Sequence, residues 1–420
     1  MSYTTLSLSQ TPPLSVPLRY LLIAPLFAAA AGLVLLFFPE ALMSRWTPAT
    51  LAATHLLTLG FLAMTMFGAL QQLLPVLAGT TIPRASLFSS AIHVALTSGT
   101  LLLVSGMGTG NALSMQLGTL LLVLTVGVFV AVIGYALMRA RSAHATVWSM
   151  GIALLSLLIT VLMGAGLLMH FGWHAPLAHP LTDLHLMWGL IGWVSVLLIG
   201  VAWQVVPMFQ LTPDYPRVMR RVLAPLLLIG LIVWSVVRLA LDAGNAPFLL
   251  VMTSLIVFAT TTLWLQQQRR RRLPDVTLSF WRVAMAALMG AMLLMLVPGD
   301  HALLIGVLLI LGFAMSAVNG MLYKIVPFLI WLHLNNRLQT SGRWQGSVPN
   351  MRQIIAEAAL RTHYRVHLLM LGMMLGAAIW PMALARAAGA ALAISSLLLG
   401  WNLLQGVRIY RRVLRDAAAV

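Results

Sequence analysis

The chain contains no cysteine. Disulfides, thiolate metal sites and Cys-ligated iron–sulfur clusters are therefore excluded. Charge is scarce too. Only 8% of the residues are Asp, Glu, Lys or Arg, where a soluble domain carries roughly a quarter. The eight acidic residues leave little for a carboxylate-coupled mechanism, because Asp183, Asp242 and Asp300 all fall at the ends of apolar runs.

Apolar surface is what the chain does have. Its 420 residues are 61% hydrophobic, with mean hydropathy +0.97. Such a chain cannot clothe itself with a polar shell in water, so the composition implies an all-α integral membrane protein whose main partner is the lipid bilayer. The net charge of +17 would suit a nucleic-acid footprint if it lay on one soluble face. Here the arginines fall at span ends, as the positive-inside rule requires, and no nucleic-acid partner is expected. Residues 1–17 are polar and Pro-rich, and no cleavable signal is evident.

A spanning helix needs about 20 apolar residues. Runs of that kind lie near 18–38, 50–78, 86–107, 112–138, 146–171, 181–209, 221–241, 247–267, 279–298, 302–333, 365–385 and 387–407. No soluble domain fits between them, so residues 1–420 read as a single transmembrane domain. With a cytoplasmic N-terminus, the inner loops hold Arg84, Arg139, Arg217, the run Arg269–Arg272 and Arg352, and the tail holds Arg408–Arg415. The outer segments hold Arg45, Arg238 and Arg386. This alternation places both termini in the cytoplasm of a bacterial-type inner membrane. Residues 335–361 form a cytoplasmic connector whose second half can fold as a short amphipathic helix.

Three segments share the pattern G-x-x-x-[QK]-x-x-P. They are Gly68–Gln72–Pro75, Gly200–Gln204–Pro207 and Gly320–Lys324–Pro327. The glycines are 132 and 120 residues apart, four spans each time. Proline frees a helix carbonyl that needs a partner inside a bilayer, a polar residue three positions earlier lies near that defect, and glycine permits close helix approach. The pattern implies a pseudo-threefold 4+4+4 arrangement, with arcs at roughly 18–138, 146–267 and 279–407.

Ionisable residues within spans are functional candidates, and imidazole ligates both haem iron and copper. His55 and His185 lie 13 and 15 residues before their repeat glycines, so the repeat brings both to one outer level. His301 fits that register poorly. His93, His333 and His367 form a second group toward the inside, and His170, His174 and His179 make an outer loop cluster.

Twelve spans in three arcs, with histidine on the second and sixth, resemble the large subunit of haem-copper oxidases and, more closely, the divergent NnrS-like membrane proteins linked to nitric oxide metabolism. The likeness rests on "HLLTLGFLAMTMFGALQQLLPVLAG", "HLMWGLIGWVSVLLIGVAWQVVPMF" and "NGMLYKIVPFLIWLHL". It implies His55 as a low-spin haem ligand and His185 at the copper-ligand position. The oxidase tyrosine four residues beyond that copper ligand is Gly189 here, and the seventh-span His-His pair and tenth-span His-x-His are missing. The expectation is a haem-binding, copper-capable protein for electron transfer or for nitric oxide or metal stress, served by a redox partner protein or quinol and lacking a complete oxygen-reducing site. The alternatives are a secondary transporter gated at the Gly/Pro breaks and a non-catalytic assembly or accessory protein.

Overall fold

The computed structural model describes residues 11–140, 145–173, 179–240, 246–270, 274–341 and 347–418. Among these residues there is no strand. Eleven helices among the described residues are long and apolar enough to cross a membrane, which makes the chain a multi-pass helical membrane protein. We label them α1 (Ser15–Phe37), α2 (Pro48–Val76), α3 (Ala85–Thr109), α4 (Ala112–Met138), α5 (Ala145–Met169), α6 (Pro180–Gln210), α7 (Arg217–Ala240), α8 (Phe248–Gln267), α9 (Val276–Leu294), α10 (Ala302–Leu338) and α12 (Pro381–Ala417). Between α10 and α12 lies α11 (Glu357–Ile379), long enough but less apolar because Arg361, His363, Arg365 and His367 occupy its first half. Of the described connector residues, 335–341 continue the α10 helix and Met351–Ile354 form one turn ahead of α11, closed by a capping box of Asn350 and Gln353.

Local chemistry sets the helix ends. The Thr47 hydroxyl accepts from the Thr50 amide to cap α2, with Pro48 at the first helical position. Asn111 caps α4 in the same way, and Asp275 caps α9. Outward faces stay apolar. On α4, Leu113, Leu117, Leu120, Leu124 and Val128 are exposed at helical spacing. That stripe suits lipid and would be costly in water.

The repeat glycines mark where helices touch. A Cβ at Gly68 of α2 would sit 2.7 Å from Tyr20 Cβ on α1, one at Gly200 of α6 2.4 Å from Ser149 Cβ on α5, and one at Gly320 of α10 3.0 Å from Phe280 Cβ on α9. A second glycine lies eight residues before each. Gly60 faces Phe27, Gly192 faces Ser156 and Gly312 faces Ala287. Each of those partners is seven residues beyond the first partner on its helix. Three helix pairs thus pack through the same two-glycine contact at the same register, the close approach that small residues permit in a bilayer.

The same helices share a backbone irregularity. Each is π-helical over eight residues, Leu56–Ala63 in α2, Trp188–Ser195 in α6 and Leu308–Met315 in α10. Every π segment ends five residues before its repeat glycine. The widened turn leaves carbonyls without their usual donors. Two are taken by serine hydroxyls, Ser195 to the Leu190 carbonyl at 2.7 Å and Ser316 to the Leu311 carbonyl at 3.2 Å. The α10 segment touches both of the others, so the three meet at the centre of the bundle.

At the proline end of α10, Lys324 reaches Asp275 at 2.8 Å, joining α10 to the cap of α9. Burial would raise the Asp275 carboxyl, but the Lys324 charge and hydrogen bonds from Lys324 and Thr277 outweigh it and hold the carboxyl below its ordinary range. A depressed carboxyl stabilises the fold above the unfolded value of about 3.9 and loses that contribution as pH falls through the folded value. Asp275→Asn is therefore expected to lower the unfolding temperature at pH 7 by the equivalent of about 1–2 kcal/mol, given the partial exposure of the pair. The gap between variant and parent should close below about pH 4. A thermal-unfolding series against pH checks this, and a gap that widens on acidification contradicts it.

Candidate functional site

α2 and α6 run parallel, and their first two turns bring His55 and His185 together. The ring centroids are 6.3 Å apart, with planes inclined at 26°. His55 immediately precedes the π segment of α2, and His185 lies three residues before that of α6. Nδ1 of His55 donates to the Leu51 carbonyl at 2.8 Å, one turn back on its own helix. Nδ1 of His185 donates across to the Thr160 carbonyl of α5 at 2.9 Å. Carbonyls only accept, so both rings carry the proton on Nδ1 and hold a free lone pair on Nε2. This backbone bond is what orients metal-binding imidazoles and fixes their tautomer. Gly164 of α5 makes room for the second ring, since a Cβ there would lie 3.0 Å from His185 Cε1.

Both rings line a chamber of about 320 Å³. Its wall is largely apolar and includes Trp193, Leu103, Leu157 and Met374, with Thr50, Thr54, Thr58, Thr119, Thr160 and Thr182 carrying the hydroxyls. The π segments of α2, α6 and α10 all contribute to it. Arg45 is the one cation among the described lining residues, and none of them is Asp or Glu. The Arg45 guanidinium donates to Asp183 at 2.8 Å and stacks 4.5 Å over Trp46. Arg238 approaches the other Asp183 oxygen at 3.7 Å, so two cations share one carboxylate.

The other expected histidines lie elsewhere. His93 is ten residues from Leu103, the first α3 residue in the chamber wall, about 15 Å along the helix. Its ring packs edge-on against Tyr20 at 5.1 Å. His333 lies 22 residues past Leu311, about 33 Å along α10, and its two ring nitrogens face the Leu329 and Pro12 carbonyls at 2.9 and 3.1 Å. His301 sits in the turn before α10, its Nε2 facing the Pro298 carbonyl at 3.2 Å. The side chains of His170, His174 and His179 lie outside the described residues.

His367 belongs to a second buried group. Its Nε2 meets Ser316 at 2.7 Å, at the end of the α10 π segment. One turn earlier is His363, which the sequence reading did not single out. The Asn402 amide donates to Tyr323 Oη at 2.9 Å, Tyr323 Oη meets His363 Nδ1 at 2.9 Å, and His363 Nε2 meets Ser395 at 3.2 Å. One tautomer satisfies that whole chain, with Tyr323 donating to Nδ1 and Nε2–H donating to Ser395. Both His363 nitrogens are thereby spent on tying α10, α11 and α12 together. The i,i+4 spacing of "HYRVH" was the available signal for the pair.

No group of three His, Cys, Asp or Glu side chains placed to hold a metal occurs among the described residues. The chamber therefore offers two imidazole lone pairs in apolar surroundings. That donor set suits a metal that brings most of its own ligands, and it falls short of a protein-only copper site. The motif residues Gln72 and Gln204 make no contact with the pair. Gln72 is buried with its carbonyl oxygen unpartnered, and Lys324 is engaged with Asp275. A scan against protein-family models gives no match, and a search of curated proteins gives none.

Proposed function

We propose that the chain is a haem-binding inner-membrane protein, with His55 and His185 as the residues that would hold the haem iron. The observation that carries this reading is the pair itself: two imidazoles 6.3 Å apart, each locked by a backbone carbonyl through Nδ1, facing an apolar chamber of about 320 Å³. Bound there, the haem would supply one-electron redox chemistry. The protein's part is to fix both rings in one tautomer and to exclude water with an apolar wall.

The layout that goes with this proposal is twelve spans in three arcs of four, α11 being the eleventh, with both termini cytoplasmic and the histidine chamber toward the outside. The common glycine contacts and π segments support the threefold part. With two histidines that would hold the iron and no other titratable group but Arg45 in the wall, the role favoured is electron transfer, coupled to a redox partner protein or quinol. The likeness to NnrS-like proteins adds nitric oxide or metal stress as the setting. Copper is the weaker cofactor reading, for want of a third protein donor. A coupled transporter is disfavoured by a wall without acidic residues.

The test is the reduced-minus-oxidised absorbance spectrum of protein purified from haem-replete cells. A Soret band and the sharp visible bands of six-coordinate low-spin haem are expected, at about one haem per chain. Protein that folds under these conditions without haem overturns the reading.

A further inference from the structure

The segments that follow α6 and α8 are fastened to each other. The Arg270 backbone amide donates to the Leu211 carbonyl at 2.9 Å. Leu211 takes a left-handed φ of 56°, which a residue of its bulk rarely adopts. Beside it, the Gln266 side-chain amide of α8 donates to Gln210 of α6 at 3.0 Å. Tyr215 anchors the rest of the stretch between α6 and α7. It is buried, its hydroxyl meets Thr262 of α8 at 2.8 Å, and its ring packs edge-on against Trp203 of α6 at 4.7 Å. α7 begins two residues later, at Arg217. Side chains that leave these segments therefore stand on a fixed frame.

Four arginines occupy that frame, Arg217, Arg220 and Arg221 at the start of α7 and Arg270 just after α8. All but the half-buried Arg220 are exposed. The ion pairs among the described residues include none of the four. Asp214 is the one acid between α6 and α7, and Asp275 is already paired with Lys324. Like charges left uncompensated repel, so the cluster calls for an anion. The neighbouring surface decides which kind. Val218, Val222, Ile229 and Val233 of α7 face outward at helical spacing, and Trp264 of α8, six residues before Arg270, is exposed as well. The two helices pack closely, since a Cβ at Gly230 would lie 2.7 Å from Val251 Cγ2. Val218 to Ile229 covers about 16 Å of helix, close to half of a hydrocarbon core of about 30 Å. A charged headgroup position above an apolar stripe one leaflet deep has the shape of a phospholipid. A free phosphate would meet the arginines and leave the stripe uncovered. A zwitterionic headgroup would bring a further cation to a site already rich in them.

We propose that this face of α7 and α8 is a binding site for an anionic phospholipid, its phosphate on Arg217, Arg221 and Arg270 and an acyl chain along Val218, Val222 and Ile229. None of these residues lines the histidine chamber, so the proposal stands without haem. The test is native mass spectrometry of the full chain, delipidated in detergent and titrated with phosphatidylglycerol or with phosphatidylcholine. The protein is expected to retain phosphatidylglycerol and to shed phosphatidylcholine. Replacing Arg217, Arg221 and Arg270 together with glutamine is expected to weaken phosphatidylglycerol binding about a hundredfold, roughly fivefold for each basic residue taken from an anionic headgroup. The α12 tail supplies the control, because Arg411→Gln, Arg412→Gln and Arg415→Gln together remove the same charge and should leave binding unchanged. If the first triple variant does not fold, Arg217→Gln with Arg221→Gln is judged by the same titration. Equal retention of the two lipids, an equal loss in the tail control, binding kept in a folded glutamine variant, or lipid stripped by excess inorganic phosphate each overturns the proposal.

Discussion

Replacing either His55 or His185 with alanine is expected to lower the haem content of the purified protein by tenfold or more. Second-shell changes at metal sites already cost about 10–100-fold in affinity, and these residues are proposed as the ligands themselves. The two variants should behave alike, because each leaves one imidazole and an open coordination position. Any haem that remains should shift from a six-coordinate low-spin to a five-coordinate high-spin spectrum. Haem quantified per chain, with the Soret position, measures both effects. His93→Ala and His333→Ala are the matched controls. Their rings lie about 15 and 33 Å of helix away from the chamber wall, and haem content should be unchanged. The idea is sunk if His55→Ala and His185→Ala both keep parental haem, or if the controls lose as much as the pair does.

The Leu51 and Thr160 carbonyls lead to a finer distinction. Both rings owe their orientation to main-chain acceptors, so no side-chain substitution removes the orienting group directly. Gly164 is the position that does reach it. With its Cβ site 3.0 Å from His185 Cε1, a Gly164→Val side chain must displace that ring, and it should mimic His185→Ala in spectrum while leaving both ligands in the sequence.

How much of this is legible beforehand depends on which physics the sequence carries. Apolar runs long enough to span follow from bilayer thickness, so eleven of the twelve expected runs stand among the described residues as candidate spans, with shifted ends. α12 extends past Val407 into a charged tail because Arg408 folds back over Trp401 at 4.5 Å and the helix can continue in a polar setting. α11 is the marginal case, since the same Arg361, His363, Arg365 and His367 that give it polar ties also lower its hydropathy. The glycine–proline motif is readable. The partner glycines Gly60, Gly192 and Gly312 carry a further signal, an eight-residue offset that recurs three times, and it shows its meaning only beside the packing. The π segments leave no compositional mark. They shift the phase of every side chain beyond them, which is why helical spacing alone cannot say which histidines face one another. His55 and His185 could be matched because both precede the irregularity. His93 and His367 sit on helices that follow a repeat helix, and each packs on the equivalent aromatic of its own arc, Tyr20 at 5.1 Å and Phe280 at 5.2 Å, so equivalent position keeps them apart instead of bringing them together.

The largest effect on stability is expected where the first and last membrane helices meet. A Cβ at Gly32 of α1 would lie 2.5 Å from the Gly389 carbonyl oxygen and 2.6 Å from the Ala393 nitrogen of α12. The reverse holds as closely, for a Cβ at Gly389 would lie 2.6 Å from the Gly32 oxygen and 2.6 Å from the Leu36 nitrogen. All four obstacles are backbone, so no rotamer change can make room and the helices themselves must part. Overpacking of this kind costs about 1–3 kcal/mol for a modest insertion, and a leucine demands far more than a methyl. The consequence reaches beyond the contact. Ser395 and Asn402, which anchor the His363–Tyr323 chain, stand on α12 about two and four turns beyond Gly389, so moving that helix also pulls on the ties to α10 and α11. Gly32→Ala should lower the unfolding temperature in detergent by several degrees, and Gly389→Leu should abolish stable folded protein. Gly127 and Gly134 of α4 have nothing within 4 Å of the Cβ position. Alanine there should be neutral or stabilising by up to about 1 kcal/mol, from helix propensity alone. Equal unfolding temperatures for Gly32→Ala and Gly127→Ala would show that the α1–α12 contact yields more readily than its geometry implies.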